Sequence, residues 1–209
     1  MNKNRIVLDK IMKLDEKFLS WWYAPWKNCA RPSSWSAGLG EFALRDDYRH
    51  WCRQAGVIPT IPARFDEGWC ELAALPTPVL ITTARLYAGV VLHDQQGHAA
   101  LHQLTLEQKR WCFGLGSTQP VRLLNHKSMA TLEEIGFHEI ANWLDHGFPG
   151  MWSHLRLSLP TMFDDLQPCQ ADVINMQFLS LRSARARRCV LLCSQRALTV
   201  ETEKQGYLV

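Results

Sequence analysis

Val79-Leu80-Ile81-Thr82-Thr83-Ala84-Arg85-Leu86-Tyr87-Ala88-Gly89-Val90-Val91-Leu92 is apolar almost all round and carries one charge, Arg85. Its β-branched residues suit a strand as well as a helix. Its length is beyond an ordinary strand and matches a helix buried in the middle of a domain. If this stretch is a central helix, other elements must cover it on every side, and the flanking sequence supplies amphipathic helices to do so.

Upstream, Leu44, Tyr48, Trp51 and Ala55 recur at i, i+4, i+7 and i+11, while Arg45, Asp46, Arg49, His50 and Arg53 take the other face. Gly56 and Pro59 close that helix. Downstream, Thr105-Leu106-Glu107-Gln108 has the form of a capping box, in which a hydroxyl and an amide satisfy N–H groups at a helix start, and it opens a helix running toward Gly114. Thr131-Leu132-Glu133-Glu134 repeats the device ahead of Phe137, Ile140, Ala141 and Leu144, and Gly147 with Pro149 ends the run.

The remaining stretches are less regular. Lys10 to Trp22 reads as a short helix ending near Pro25. Ile58 to Pro78 reads as an irregular connection, or a hinge, with one helical turn around Glu67 to Leu72. Met151 to Leu159 is a short segment stopped by Pro160. Ala171 to Leu181 carries Ile174, Phe178 and Leu181 at helical spacing, but Arg188 stands where the stripe would continue. Cys189 to Cys193 is then a continuous apolar run, a minor strand or a buried helix. The expected fold is all-α, a single mainly helical domain of several packed amphipathic helices over 1–209. An aromatic and proline-rich segment spans 1–40, a helical core 41–160, and a C-terminal segment with an arginine cluster 161–209.

Composition agrees with a folded chain. Of 209 residues 47% are hydrophobic and 21% charged, far from the composition of disorder. A net charge of +3 is too small to name a nucleic-acid partner. No window reaches the 18 or so apolar residues of a spanning helix, and the start Met1-Asn2-Lys3-Asn4-Arg5 leads into no signal-peptide core, so a cytosolic protein is expected. Seven scattered cysteines are expected to be reduced thiols.

Candidate chemistry does not assemble into a site. Asp94, His98 and His102 fall at i, i+4 and i+8 on any helix through them. The outer two are then about 12 Å apart, too far to share one metal ion. Gly114-Leu115-Gly116-Ser117 lacks the third glycine and the Lys-Ser/Thr ending of a phosphate loop, and a helix-ending turn accounts for it. His138-Glu139 and Asp145-His146 are read as parts of a solvated helix face. No catalytic, metal or cofactor-binding residue is assigned, and no cofactor is expected. Arg182, Arg185, Arg187, Arg188 and Arg196 form the basic cluster. Trp21, Trp22 and Trp26 either complete a core or anchor a contact, since tryptophan is enriched at interface hot spots.

Several segments resemble the K subunit of the bacterial type III secretion sorting platform, the SctK family that includes YscK, PscK, OrgA and MxiK. They are Pro32-Ser33-Ser34-Trp35, Leu39-Gly40-Glu41-Phe42-Ala43-Leu44 with Asp47-Tyr48, and Arg85-Leu86-Tyr87-Ala88-Gly89-Val90-Val91-Leu92-His93. Gly147-Phe148-Pro149-Gly150-Met151-Trp152 with Leu155-Arg156-Leu157-Ser158-Leu159-Pro160 completes the set. The resemblance spans roughly residues 20 to 160. It implies a helical, non-enzymatic adaptor at the cytoplasmic face of the inner membrane, joining the ring protein SctD to the pod protein SctQ, and through them SctL and the SctN ATPase. Neither nucleic-acid binding nor membrane insertion is implied. Arg182, Arg185 and Arg188 are the candidate contacts for an acidic partner surface, with Trp21, Trp22 and Trp26 the candidates for a second contact. The alternatives from other classes are a helical metal-dependent enzyme using His98 and His102, and a basic helical nucleic-acid-binding protein.

The helical stripes place Leu44, Tyr48, Trp51, Phe137, Ile140 and Leu144 in the core. Leu44→Ala and Leu144→Ala are each expected to cost about 2 to 5 kcal/mol in urea unfolding. Losses below about 0.5 kcal/mol at both sites would put these helix faces the wrong way round.

Overall fold

The computed structural model of the chain describes residues 14–30, 47–118, 131–166 and 176–206, and the side chains of 182–204 within the last of these. The described residues form α-helices, 310 turns and loops, with no strand among them. In order the helices are α1 (Glu16–Tyr23), α2 (Tyr48–Ala55), α3 (Thr77–Val91), α4 (Leu106–Thr118), α5 (Leu132–Gly147), α6 (Met151–Leu155) and α7 (Met176–Gly206). None is long and apolar enough to cross a membrane. Leu44 and the segment 31–46 lie outside the described residues.

The chain divides into two compact units. One takes Met1–Ala74 with Gly147–Asp165, the other Leu75–His146 with Leu166–Val209.

The second unit is organised around α3. The apolar stretch is a helix, with Pro78 in its first turn, where a missing N–H costs nothing. Val79, Leu80, Ala84, Leu86, Tyr87 and Val90 are all buried. Its threonine hydroxyls do not disturb this. Thr83 donates to the Val79 carbonyl at 2.7 Å and Thr82 to a Glu201 carboxylate oxygen of α7 at 2.7 Å.

Glycines set how closely α4 and α5 approach α3. A Cβ at Gly136 of α5 would fall 1.9 Å from the Ala84 carbonyl oxygen, so backbone meets backbone there. A Cβ at Gly89 would meet Leu104 and Cys112, and one at Gly116 would meet His93 and the Val90 carbonyl. Both expected capping boxes are closed reciprocally. Thr105 N–H donates to Gln108 Oε1 at 3.0 Å and Gln108 N–H to Thr105 Oγ1 at 3.2 Å; Thr131 and Glu134 do the same at 3.0 and 3.2 Å. Phe137, Ile140 and Leu144 are buried as expected, and so are Ile135, Glu139 and Trp143.

The C-terminal run corrects the reading in which Cys189 to Cys193 forms a minor strand, because one helix, α7, carries it through to Gly206. Its buried face is Ser183, Ala186, Cys189, Val190, Cys193, Ser194 and Ala197. These recur at helical spacing, but most are small, so a search for large apolar residues loses the register at Arg188. Small side chains allow α7 to lie close along α3.

The first unit is held by aromatic packing and side-chain hydrogen bonds. Trp51, Cys52 and Val57 form a buried cluster with Trp26, Tyr48 and Leu157 against it. Gly56 ends α2 in the left-handed conformation (φ 64°), and Arg156 donates to the Ala55 and Gly56 carbonyls at 3.1 Å. The stretch after Gly56 is irregular up to the 310 residues Glu67–Ala74, as its prolines require.

Gly136→Ala should destabilise the protein by about 3 kcal/mol or more, since backbone must move to admit a methyl group. Gly114→Ala, with no atom within 4 Å of the added Cβ, should instead stabilise α4 by up to about 1 kcal/mol. Urea midpoints of the two variants shifting the same way would contradict this packing.

Candidate functional site

The basic cluster lies on α7, whose orientation is set by its small-residue face. With Ala186, Cys189, Cys193 and Ala197 turned into the unit, Arg182, Arg185 and Arg188 are exposed. Their spacing of three residues makes a stripe that climbs about 9 Å along the axis. Arg187 is half-buried on the same helix. Arg196 belongs to a separate arrangement, an ion pair with Glu107 of α4. The structure therefore brings Arg182, Arg185 and Arg188 together and leaves Arg196 apart. Planar guanidinium groups in this arrangement suit paired carboxylates on a partner.

Of the tryptophans, Trp22 is fully buried in the first unit, Trp21 is buried, and Trp26 is half-buried against Trp51 and Tyr48, with ring centroids 5.9 and 6.2 Å away. Trp21 and Trp22 thus complete a core, together with Phe18 and Phe148. Trp21 also reaches the wall of a cleft of about 650 Å³ in the same unit, lined with Lys17, Phe18, Asn28, Cys70 and Glu71. That cleft depends on how the 310 residues 67–74 lie along α1, which no spacing in the sequence announces.

Among the described residues His154 is the one imidazole in the midst of this aromatic core, and no spacing in the sequence singles it out. It is 2% exposed and stacks on Trp22 with centroids 4.0 Å apart and planes at 28°, while Trp21 lies 5.5 Å away. Its Nε2–H donates to the Ile58 carbonyl at 2.8 Å, which leaves Nδ1 without a proton in a dry environment. Burial is the dominant effect on its titration, and it lowers the ring's pKa from 6.5 to about 4 against the opposing hydrogen bond to Ile58.

The other sequence candidates are dispersed. α3 ends at Val91, so no helix runs through Asp94, His98 and His102. His98 instead caps the 310 turn Ala99–Gln103, its Nδ1 accepting from the Ala100 N–H at 3.3 Å. Among the described residues no three His, Cys, Asp or Glu side chains are grouped to hold a metal ion. Gly114 to Ser117 forms the last turns of α4, with Gly116 at the close approach to α3. Burial pushes the thiols of Cys112 and Cys189 up to about 12 and about 11, so neither is a thiolate at neutral pH.

Glu139 corrects the reading of a solvated His138-Glu139 pair. It is fully buried, one turn beyond Gly136, and lies near Tyr87, one turn beyond Ala84. The close approach of α5 to α3 at Gly136 covers this turn. His138 is half-buried, whereas Asp145 is exposed.

No family model matches the chain, and no match is found among curated proteins or solved structures.

The His154 ring makes the first unit sensitive to acid. Below pH 6.5 the unfolded chain takes up a proton that the folded chain refuses until about pH 4. Stability should therefore fall as pH drops through this window, by about 3 kcal/mol for the full shift. His154→Gln keeps a donor for Ile58 and cannot titrate, so its urea midpoint should decline less between pH 7 and 4.5 than that of the wild type. Parallel declines in the two proteins would mean that the ring is not held neutral by burial.

Proposed function

We propose that this chain is an all-α adaptor of the type III secretion sorting platform, working at the cytoplasmic face of the bacterial inner membrane and linking the ring protein SctD to the pod protein SctQ. The observation that carries the proposal is the ordered resemblance to the SctK family between residues 20 and 160. Its described segments coincide with the residues that build both units. Arg85 to His93 is the C-terminal half of the central helix α3 and the turn that follows it. Phe148, Met151, Trp152, Leu155 and Leu159 are buried in the first unit.

Two features of the surface favour an adaptor. The Arg182, Arg185 and Arg188 stripe is a compact basic face on a helix whose other side is fully used in packing. The half-buried Trp26 and the cleft beside Trp21 lie in the other unit and offer a second candidate surface. An adaptor needs two such surfaces, and neither needs an active site.

The purified chain should bind the cytoplasmic domain of the ring protein and the pod protein encoded beside it, forming a complex of all three in gel filtration. Replacing Arg182, Arg185 and Arg188 together by Glu should weaken one partner by at least about tenfold, or 1.4 kcal/mol, and leave the other bound. Failure of the unsubstituted chain to bind either protein would rule out the adaptor role.

A further inference from the structure

Beside the arginine stripe, α4 and α7 run antiparallel and leave a shallow groove of about 440 Å³ between them, walled by Arg110, Trp111, Leu115 and Leu192. The Arg196–Glu107 ion pair closes one end. Four residues before Arg196, Leu192 lines the wall, and one turn before that stands Arg188, exposed, with Arg185 in the turn below. Trp111, Leu115 and Leu192 are each half-buried, so the packed unit leaves part of their apolar surface uncovered. Gly114 sits in the α4 wall with nothing within 4 Å of where its Cβ would stand, which makes a notch in that wall.

The charges beside the groove have one sign. Arg110 lines it, Arg188 and Arg185 stand exposed one and two turns before Leu192 on α7, and none of the three pairs with a carboxylate among the described residues. The Glu107 carboxylate near the groove is already matched by Arg196. An occupant complementary to this site has an apolar ridge for the floor and carboxylates for the rim. Arginine forks fix the register of such carboxylates, and tryptophan supplies the apolar anchor. Two helix walls side by side present a trough of the shape that receives a third helix, read through anchors at i, i+3 or i+4, and i+7.

We infer that the α4–α7 groove is the docking site for an acidic amphipathic helix of a protein partner, whose bulkiest apolar side chain enters the notch at Gly114. This rests on the adaptor role proposed above and gives one of its two partners a chemistry. The site differs from a nucleic-acid surface in that its floor is a confined apolar trough, and a polyanion would have no use for the notch.

Gly114→Arg separates these possibilities, because it fills the notch while adding positive charge and meets open space rather than packed atoms. A phage-displayed library of random peptides of about four helical turns is selected on the full-length protein. Recovered peptides are then compared on wild type, Gly114→Arg and Gly114→Ser, with circular dichroism and thermal midpoints checking that each variant is folded. The expected result is a set of peptides with apolar residues at helical spacing flanked by Asp and Glu. They should bind Gly114→Arg at least about tenfold more weakly than wild type, and Gly114→Ser nearly as well as wild type. The ring or pod protein that is lost with the triple arginine substitution should be lost with Gly114→Arg as well. No peptide distinguishing wild type from Gly114→Arg, or recovered peptides that are basic, overturns the inference. So does tighter binding of a short single-stranded DNA by Gly114→Arg with no discriminated peptide. If discriminated acidic peptides are found while ring and pod proteins fail to bind the wild type, the groove stands and the adaptor role falls. If ring or pod protein binds wild type and Gly114→Arg alike and no peptide discriminates, the groove falls and the adaptor role stands.

Discussion

Covering α3 on all sides is the constraint from which the second unit follows. A helix with buried residues round its whole circumference cannot lie on a surface, and each neighbour must approach closely enough to leave no gap. The chain meets this by removing side chains rather than adding them. Gly136 brings α5 to the Ala84 backbone, Gly89 and Gly116 admit α4, and the Ser, Ala and Cys face of α7 lies along the same helix. Close approach also decides which polar groups are caught inside. Glu139 and Tyr87 are buried near each other because each stands one turn beyond the Gly136–Ala84 crossing. Burial raises the Tyr87 phenol well above its ordinary pKa, and Glu139 adds to the effect.

The first unit solves a different problem. Between Gly56 and Asp66 the chain has no regular structure to satisfy its backbone, and a buried carbonyl without a donor costs as much as a lost hydrogen bond. Side chains do the work of a ladder. His154 donates to the Ile58 carbonyl, Tyr48 donates to that of Pro59 at 3.0 Å, and Ile58 N–H donates to Ser153 Oγ at 3.2 Å. Trp22 Nε1 also points at the Pro59 oxygen, at 3.4 Å. The aromatic residues here are therefore both core and hydrogen-bond donors. That dual use explains a tryptophan-rich segment without an exposed anchor at Trp22.

What could be read from the sequence was whatever local rules enforce. Two capping boxes need only residues three apart, and both close as written. Gly56 ends α2 because a left-handed residue must stand there, and the α3 stretch is a helix because it is too long to be otherwise buried. What could not be read depended on partners distant in the chain. The buried face of α7 is made of residues that score as neither strongly apolar nor polar, so its register is visible only when α3 lies against it. Glu139 reads as a surface acid until the crossing at Gly136 is known. His98 reads as a metal ligand only on a helix that in fact ends at Val91. Of the candidate surface, the arginine stripe was legible from spacing alone, whereas Trp111, Leu115 and Leu192 were not. They come together because α4 and α7 are antiparallel, and nothing within either segment specifies that.

The two faces of α7 link this packing to the proposed function. Its inner face is committed to α3 through small residues, where any enlargement would push the helix outward. Its outer face carries Arg185 and Arg188 and, a turn further, Leu192, none of which the unit needs for its core. Under the proposed role, stability and recognition would be assigned to opposite sides of one helix rather than shared by the same residues. Charge changes on the outer face should leave the fold intact, since isolated surface charges contribute little to stability. The inner face holds the outer one in place along α4, and the Arg196–Glu107 pair ties the two helices at one end. A recognition groove between two helices needs that fixed spacing, because apolar anchors are specific only when the trough they enter does not widen.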